Sequence, residues 1–66
     1  MNLIINGENR EIIHSSTVLE LLQELSLNPE ITIVERNLEI VGKELYGNEP
    51  IAAGDAIEII RFMGGG

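Results

Sequence analysis

The chain has 66 residues and therefore forms one small domain at most. It contains no cysteine and one histidine, which excludes a disulfide framework and a zinc site. Eleven acidic residues against four basic ones give a formal net charge of −7, which opposes binding to phosphate backbones and anionic lipid surfaces. We therefore expect no nucleic acid and no membrane partner, and a basic protein surface is the natural complement.

Hydrophobic residues make up 44% of the chain, yet Tyr46 and Phe62 are the only aromatic residues, so we expect an aliphatic core. The first residues, MNLIINGENR, have no basic leader before their short apolar run, which is not typical of a signal peptide. No apolar stretch approaches the roughly 20 residues that a membrane span requires. We therefore expect a cytoplasmic protein.

The chain begins with two short isoleucine-containing runs, MNLIIN and REIIH, which are separated by GEN. Gly7 and Asn9 tolerate a positive φ, so this pattern predicts a β-hairpin with its turn in GEN.

The next segment, SSTVLELLQELSL, has the pattern of an amphipathic helix. Thr17 and Glu20 form a predicted capping box, in which the Thr17 hydroxyl accepts from the Glu20 N–H and the Glu20 carboxylate reaches back to the Thr17 N–H. The apolar stripe consists of Val18, Leu21, Leu22 and Leu25. We expect Asn28-Pro29 to end the helix.

The second half of the chain predicts three further strands. ITIVER and LEIV flank a tight turn near Asn37, where Leu38 is unfavourable because such turns usually place glycine at a positive φ. GKELYGNEPIAAGD predicts a loop with one helical turn, and AIEIIRF predicts the last strand. The order ββαβββ, with one helix to cover one face of one sheet, indicates an α+β two-layer domain.

Alternation in the first and last strands divides their apolar residues between two faces. Leu3, Ile5, Ile57 and Ile59 fall on the face that we expect to meet the helix. Ile4, Ile60 and Phe62 fall on the other face, and Met63 follows them. This second set is either an exposed partner-binding patch or a patch that loops partly shield.

The sequence offers no catalytic constellation. His14 is the only histidine and stands beside Ser15 and Ser16, where we expect a solvated turn residue rather than a general base. The acidic residues lack the spacing of a metal site, and no lysine-containing helix follows the glycines as a phosphate loop requires. We therefore expect no enzyme activity, no metal and no bound cofactor.

The segment RFMGGG contains three consecutive glycines, which are either a frayed end or the working part of the protein. Without side chains, Gly64, Gly65 and Gly66 fit a narrow channel, and residues 63–66 extend over about 13–14 Å at most. A carboxylate at Gly66 is ionised at neutral pH and can attack the α-phosphate of ATP if a partner neutralises its charge. The second interpretation therefore predicts an acyl carrier.

The chain resembles the sulfur carrier proteins of thiamine thiazole biosynthesis, the ThiS family of the ubiquitin-like β-grasp group. Four segments carry the resemblance in the same order: MNLIINGENRE, TVLELLQELSL, VERNLEIVGKEL and AAGDAIEIIRFMGGG. The family often has glycine and proline where Leu38 and Gly42 stand here. The resemblance implies one mixed sheet of four to five strands packed on a single helix, as a domain of residues 1–62 with a flexible tail of residues 63–66.

The resemblance also implies a mechanism. An E1-like adenylating enzyme (ThiF-type) uses ATP to form an acyl-adenylate on Gly66, and sulfur from a cysteine desulfurase persulfide converts it to a thiocarboxylate. The thiocarboxylate donates its sulfur to a thiazole synthase (ThiG-type). The carrier itself then has no catalytic site, and Gly64 and Gly65 thread the partner's active site.

Three alternatives remain at this point. The small subunit of molybdopterin synthase is a related sulfur carrier, although those chains tend to be longer and often have prolines before their final glycines. A β-grasp interaction module would share the segment from Gly54 to Glu58. A protein modifier that forms isopeptide bonds would use the same activation chemistry.

Overall fold

A computed structural model describes residues 1–62, which form five strands, one α-helix and two short 3₁₀ helices. The strands are β1 (Asn2–Ile5), β2 (Glu8–Glu11), β3 (Thr32–Arg36), β4 (Glu39–Val41) and β5 (Ala56–Arg61). They form one sheet in the order β2-β1-β5-β3-β4. β1 and β5 are parallel and the other neighbouring pairs are antiparallel, so the predicted mixed sheet and α+β class are confirmed.

The hairpin of β1 and β2 is confirmed, and Gly7 lies in its turn as predicted, but Asn9 does not. The turn is Asn6-Gly7, with φ of 51° and 82°, and Ile5 pairs with Glu8 across it. Asn9 lies within β2 opposite Ile4, and the strand ends at Glu11. An Asn-Gly pair with two positive φ angles matches the right-handed twist of the flanking strands, which explains why the turn forms two residues earlier than Asn9.

The helix α1 (Val18–Glu24) begins at the predicted N-cap, since Thr17 Oγ1 accepts from the Glu20 N–H at 3.2 Å. The other half of the predicted capping box differs. The Glu20 carboxylate accepts from the Ser16 hydroxyl at 2.7 Å and from the Ser16 N–H at 2.8 Å, and these bonds lower the pKa of Glu20. The loop before the helix is therefore tied to its first turn one residue earlier than expected.

The helix ends before Asn28-Pro29, so the predicted end was wrong. Ser26 adopts a left-handed conformation with φ of 61°. The Ser26 N–H donates to the Gln23 carbonyl at 3.0 Å, and the Leu27 N–H donates to the Leu22 carbonyl at 2.8 Å. This pair of bonds is a Schellman motif, and Leu27 packs against the core that contains Leu22. The chain leaves the helix here because the motif satisfies the carbonyls of Leu22 and Gln23 and partly buries Leu27.

The core lies between α1 and one face of the sheet. It consists of Leu3, Ile5, Ile12, Val18, Leu21, Leu22, Val34, Val41, Tyr46, Ile51, Ile57 and Ile59. The four residues assigned to the helix-facing side of the first and last strands are all buried, which confirms the assignment. The Tyr46 hydroxyl donates to the Thr32 carbonyl at 3.0 Å, so the one tyrosine is buried with its polar group satisfied.

The turn between β3 and β4 consists of Asn37 and Leu38, with φ of 52° and 73°. The predicted tight turn is therefore confirmed. Leu38 has a side chain that is 88% exposed and a backbone conformation that glycine prefers. It therefore combines backbone strain with the exposure of a large apolar side chain.

A carboxylate joins this turn to the loop before β5. Asp55 accepts from Arg36 Nε at 2.7 Å, from Asn37 Nδ2 at 3.0 Å and from the Ala52 N–H at 2.7 Å. Arg36 also pairs with Glu49 at 3.2 Å. Burial of the Asp55 carboxyl raises its pKa, but the three donors outweigh burial and lower the pKa below its ordinary value.

Candidate partner-binding site at the end of β5

β5 is the central strand of the sheet and leads directly to the glycine segment. It lies between β1 and β3, and its pairing with β3 extends to Arg61. The Phe62 N–H then donates to the Ile31 carbonyl at 2.8 Å. The segment directly before β3 therefore holds the backbone up to Phe62, the last described residue. The predictions for Met63, Gly64, Gly65 and Gly66 lie outside the described residues.

An apolar surface, which we call the β5 surface, lies on the side of the sheet opposite the helix and consists of Ile33, Ile60 and Phe62. Ile60 is 53% exposed and Phe62 is 50% exposed. Ile33 lies directly opposite Ile60 on β3, and Phe62 shares a shallow groove with Ile33 and Ile40. Ile60 and Phe62 lie on the outer face as predicted, and about half of each side chain is exposed, which fits both the open and the partly shielded alternative. Their role in binding stays a prediction.

Ile4 lies on the same side of the sheet but at the other end of β5. It is 43% exposed and pairs with Ala56, which is four residues before Ile60 on β5. At the rise of a strand, four residues correspond to about 13 Å. Glu58 occupies the intervening position on this side, so Ile4 and the β5 surface are not one continuous apolar patch.

Two carboxylates lie next to the β5 surface. Glu35 on β3 and Glu58 on β5 are directly opposite each other in the antiparallel register. Like charges in directly opposed positions destabilise a sheet. The chain also carries a formal net charge of −7. A partner that places a basic side chain between Glu35 and Glu58 would relieve this repulsion, which agrees with the expectation of a basic partner surface.

Sequence reasoning missed Ile33 and Ile40 as members of this exposed face. Ile40 is 72% exposed and lies opposite Glu35 on the edge strand β4. The alternation within ITIVER and LEIV contained the signal, but neither run shows which face meets the helix. The pairing of Ile33 with Ile60 supplies that assignment.

His14 and the acidic side chains are the described residues that the sequence analysis considered for chemistry. Residues 1–62 contain no cluster of three histidine or acidic side chains that could bind a metal ion. His14 is exposed, and its backbone N–H, not its imidazole, donates to the Glu24 carboxylate at 3.2 Å. The N–H of Ile13 and the hydroxyl of Ser15 donate to the same carboxylate, and these bonds lower the pKa of Glu24. Glu24 thus ties the loop before α1 to the end of the helix.

Among residues 1–62, no helix has both the length and the apolar character that crossing a membrane requires.

The sheet order β2-β1-β5-β3-β4 with one helix on one face defines a ubiquitin-like β-grasp domain. The model of the ThiS family matches residues 3–66. The chain is 46% identical over 52 residues to the sulfur carrier protein ThiS of Bacillus subtilis (strain 168), with 79% of each chain covered. This chain therefore belongs to the ThiS family.

Two further similarities extend over the whole chain. A crystal structure of a thiamine biosynthesis protein (ThiS) from Geobacter metallireducens has a TM-score of 0.84 and 36% sequence identity, with 100% of both chains covered. A thiazole synthase of Paramagnetospirillum magneticum is 48% identical over 66 residues. That alignment covers 100% of this chain but 20% of the relative, so this chain spans about a fifth of that protein's length.

Proposed function

We propose that the chain is a sulfur carrier in thiamine biosynthesis and that Gly66 carries the sulfur as a thiocarboxylate. The observation that supports this most directly is the family match, which extends through residue 66 and so includes all three final glycines. The carrier supplies the carboxyl group and its partners supply the catalysis. The family match favours this function over that of a molybdopterin synthase subunit.

The proposed chemistry has three steps. In the adenylating enzyme (ThiF-type), a Gly66 carboxylate oxygen attacks the α-phosphorus of ATP, which displaces pyrophosphate and leaves an acyl-adenylate. The terminal sulfur of a persulfide, formed by a cysteine desulfurase, displaces AMP, and a thiol then cleaves the sulfur–sulfur bond to leave the thiocarboxylate. On the thiazole synthase (ThiG-type) the thiocarboxylate gives its sulfur to the acceptor substrate and receives an oxygen, from that substrate or from water, so that the carboxylate is regenerated. Two relatives are named thiazole synthase, which supports this acceptor.

The described domain would contribute docking rather than chemistry. Only Met63 separates Phe62 from the three glycines, so we expect a partner that covers the β5 surface also to receive residues 63–66. Glu35 and Glu58 would direct a basic partner surface to the same side of the sheet.

The absence of cysteine makes the thiocarboxylate easy to detect. The protein is incubated with the adenylating enzyme, ATP and a persulfide source, and then treated with a thiol-alkylating reagent. Because the chain has no thiol of its own, we expect one alkyl group, located on Gly66 by fragmentation. Alkylation is preferable to intact mass alone, since oxidation of Met63 adds nearly the same mass as the exchange of oxygen for sulfur. The intact mass of the untreated protein checks that Gly66 carries a free carboxyl group.

Deletion of Gly66 or addition of one residue after it should abolish the modification, because one residue moves the attacking oxygen by more than 3 Å. Replacement of Gly65 by valine should also abolish it, because the added side chain obstructs a narrow channel. A circular dichroism spectrum identical to that of the wild type is the control for folding. Modification of the shortened protein, or alkylation at an internal residue, would refute the proposal.

A further inference from the structure

The side chain of Asn6 contacts the end of β5 across 53 residues of sequence. β1 ends at Ile5, which pairs with Ile57, and the chain then turns away through Asn6. β5 continues to Arg61, four residues or about 13 Å beyond this last pair with β1. β5 therefore extends past β1 on one flank, while its other flank stays paired with β3.

The amide of Asn6 takes the place of the missing strand residue. The Asn6 backbone N–H donates to the Ile57 carbonyl at 2.9 Å. Its side-chain Oδ1 accepts from the Ile59 N–H at 2.8 Å, and its Nδ2 donates to the Ile59 carbonyl at 3.2 Å. One residue thus satisfies both backbone groups of Ile59 on the flank that β1 no longer covers.

The turn holds this side chain in place. Asn6 has a φ of 51° and Gly7 has a φ of 82°, the pattern of a two-residue hairpin turn, and asparagine tolerates the left-handed conformation better than most residues. The Asn6 backbone is anchored to Ile57 and its side chain to Ile59, so the residue is fixed at both ends.

Asn37 is a close counterpart at the beginning of β5. It occupies the equivalent position in the other hairpin turn, with a φ of 52°. Its N–H donates to the Ala56 carbonyl at 2.7 Å, and its Oδ1 accepts from the Ala56 N–H at 2.9 Å. Two asparagines therefore hold β5 from opposite flanks, but only Asn6 acts on the half that leads to the glycines.

We propose that Asn6 is a positioning residue for the tail: its two bonds to Ile59 fix the direction in which the chain leaves β5, and so restrict where Gly66 can reach. This inference rests on the proposed function. Without these bonds the backbone after Ile57 is held only from the other flank, by β3 and by the Ile31 carbonyl. The partner then has to order the strand end as well as the glycines, which costs conformational entropy when the reacting atoms are aligned.

The test compares Asn6→Gly with Asn37→Gly. Glycine keeps the positive φ of each turn. Asn6→Gly therefore loses the two side-chain bonds to Ile59, and Asn37→Gly loses the side-chain bonds to Ala56 and Asp55. ATP–pyrophosphate exchange by the purified adenylating enzyme is measured against carrier concentration. For Asn6→Gly we expect kcat to fall about tenfold, the size of effect that corresponds to one well-formed hydrogen bond. For Asn37→Gly we expect kcat to stay close to the wild-type value.

The split between kcat and KM separates positioning from simple destabilisation. Partial unfolding lowers the concentration of folded carrier, which raises the apparent KM and leaves kcat unchanged. A badly directed tail instead lowers the fraction of docked carrier that reacts, so kcat falls at an unchanged KM. Amide hydrogen exchange should accelerate at Ile59 in Asn6→Gly and at Ala56 in Asn37→Gly.

Asn6→Asp provides a second variant if Asn6→Gly does not fold. It retains the acceptor for the Ile59 N–H but replaces the donor by a carboxylate oxygen that faces the Ile59 carbonyl, so we expect kcat to fall in this variant as well. An unchanged kcat in the Asn6 variants, or an equal loss of kcat in Asn37→Gly, would overturn the positioning role and leave the carrier function intact. Failure of the wild-type protein to support exchange would overturn the carrier function and this inference with it.

Discussion

The same substitution at two adjacent isoleucines of β5 should impair different properties: the stability of the fold at Ile59 and partner binding at Ile60. Ile59 is 8% exposed and faces the helix, whereas Ile60 is 53% exposed and belongs to the β5 surface. We compare Ile59→Thr with Ile60→Thr, because threonine keeps the β-branch and the strand preference at both positions.

The two free energies of unfolding can be estimated from burial. At Ile59 the smaller side chain costs about 0.5–1.5 kcal/mol, as for Ile→Val. Burial of an unpaired hydroxyl there costs about 1–3 kcal/mol more. A chain of this size has a net stability of only about 3–5 kcal/mol, so Ile59→Thr should lose most of it. Ile60→Thr is largely a surface change and should stay within about 0.5 kcal/mol.

Urea unfolding followed by the fluorescence of Tyr46 measures both variants, since this buried tyrosine is the only one in the chain. Binding to the adenylating enzyme should show the reverse order, with Ile60→Thr weaker than the wild type. Equal losses of stability in the two variants would refute the assignment of Ile60 to the outer face of the sheet.

Three further predictions concern stability. Thr17→Ala removes the N-cap acceptor of α1 and should lower the unfolding free energy by about 1 kcal/mol, seen as a lower Tm; an unchanged Tm would mean that another residue caps the helix. Leu38→Gly relieves a positive φ at an exposed position and should raise stability by about 1 kcal/mol in urea unfolding, whereas a loss would show that the Leu38 side chain supports the turn. The pKa of Asp55 is lowered on folding, so its carboxylate stabilises the fold above its unfolded pKa and this contribution disappears as the pH falls through the folded value. The urea midpoint should therefore fall on acidification below about pH 4, and fall less in Asp55→Asn, while parallel profiles would contradict this.

Local patterns in the sequence were sufficient for the elements whose signals lie within a few residues. The alternation of Leu3 and Ile5, and of Ile57 and Ile59, correctly separated buried from exposed faces, because side chains on a strand alternate regardless of which strands are its neighbours. The cap at Thr17 was equally local, since donor and acceptor belong to the same turn of helix.

Element boundaries were predicted less well where the local signal was weak. ENRE contains four consecutive polar residues, so no alternation marks the beginning of β2, and Asn9 was wrongly included in the turn. Leu25 and Leu27 are good helix formers, and the left-handed conformation of Ser26 reflects the packing of Leu27 against the core.

The candidate site also combines features that local sequence patterns predict with features that depend on the tertiary structure. The sequence alone placed Ile60 and Phe62 on the face opposite the expected helix side and showed that glycines follow them. Only the tertiary structure decided that Ile33 joins them, that Ile4 lies about 13 Å away along β5, and that Asn6 supports Ile59. These relations depend on which strands become neighbours. Hydrogen bonds between residues 53 positions apart form only when the sheet closes, so no short window of the sequence contains their signal.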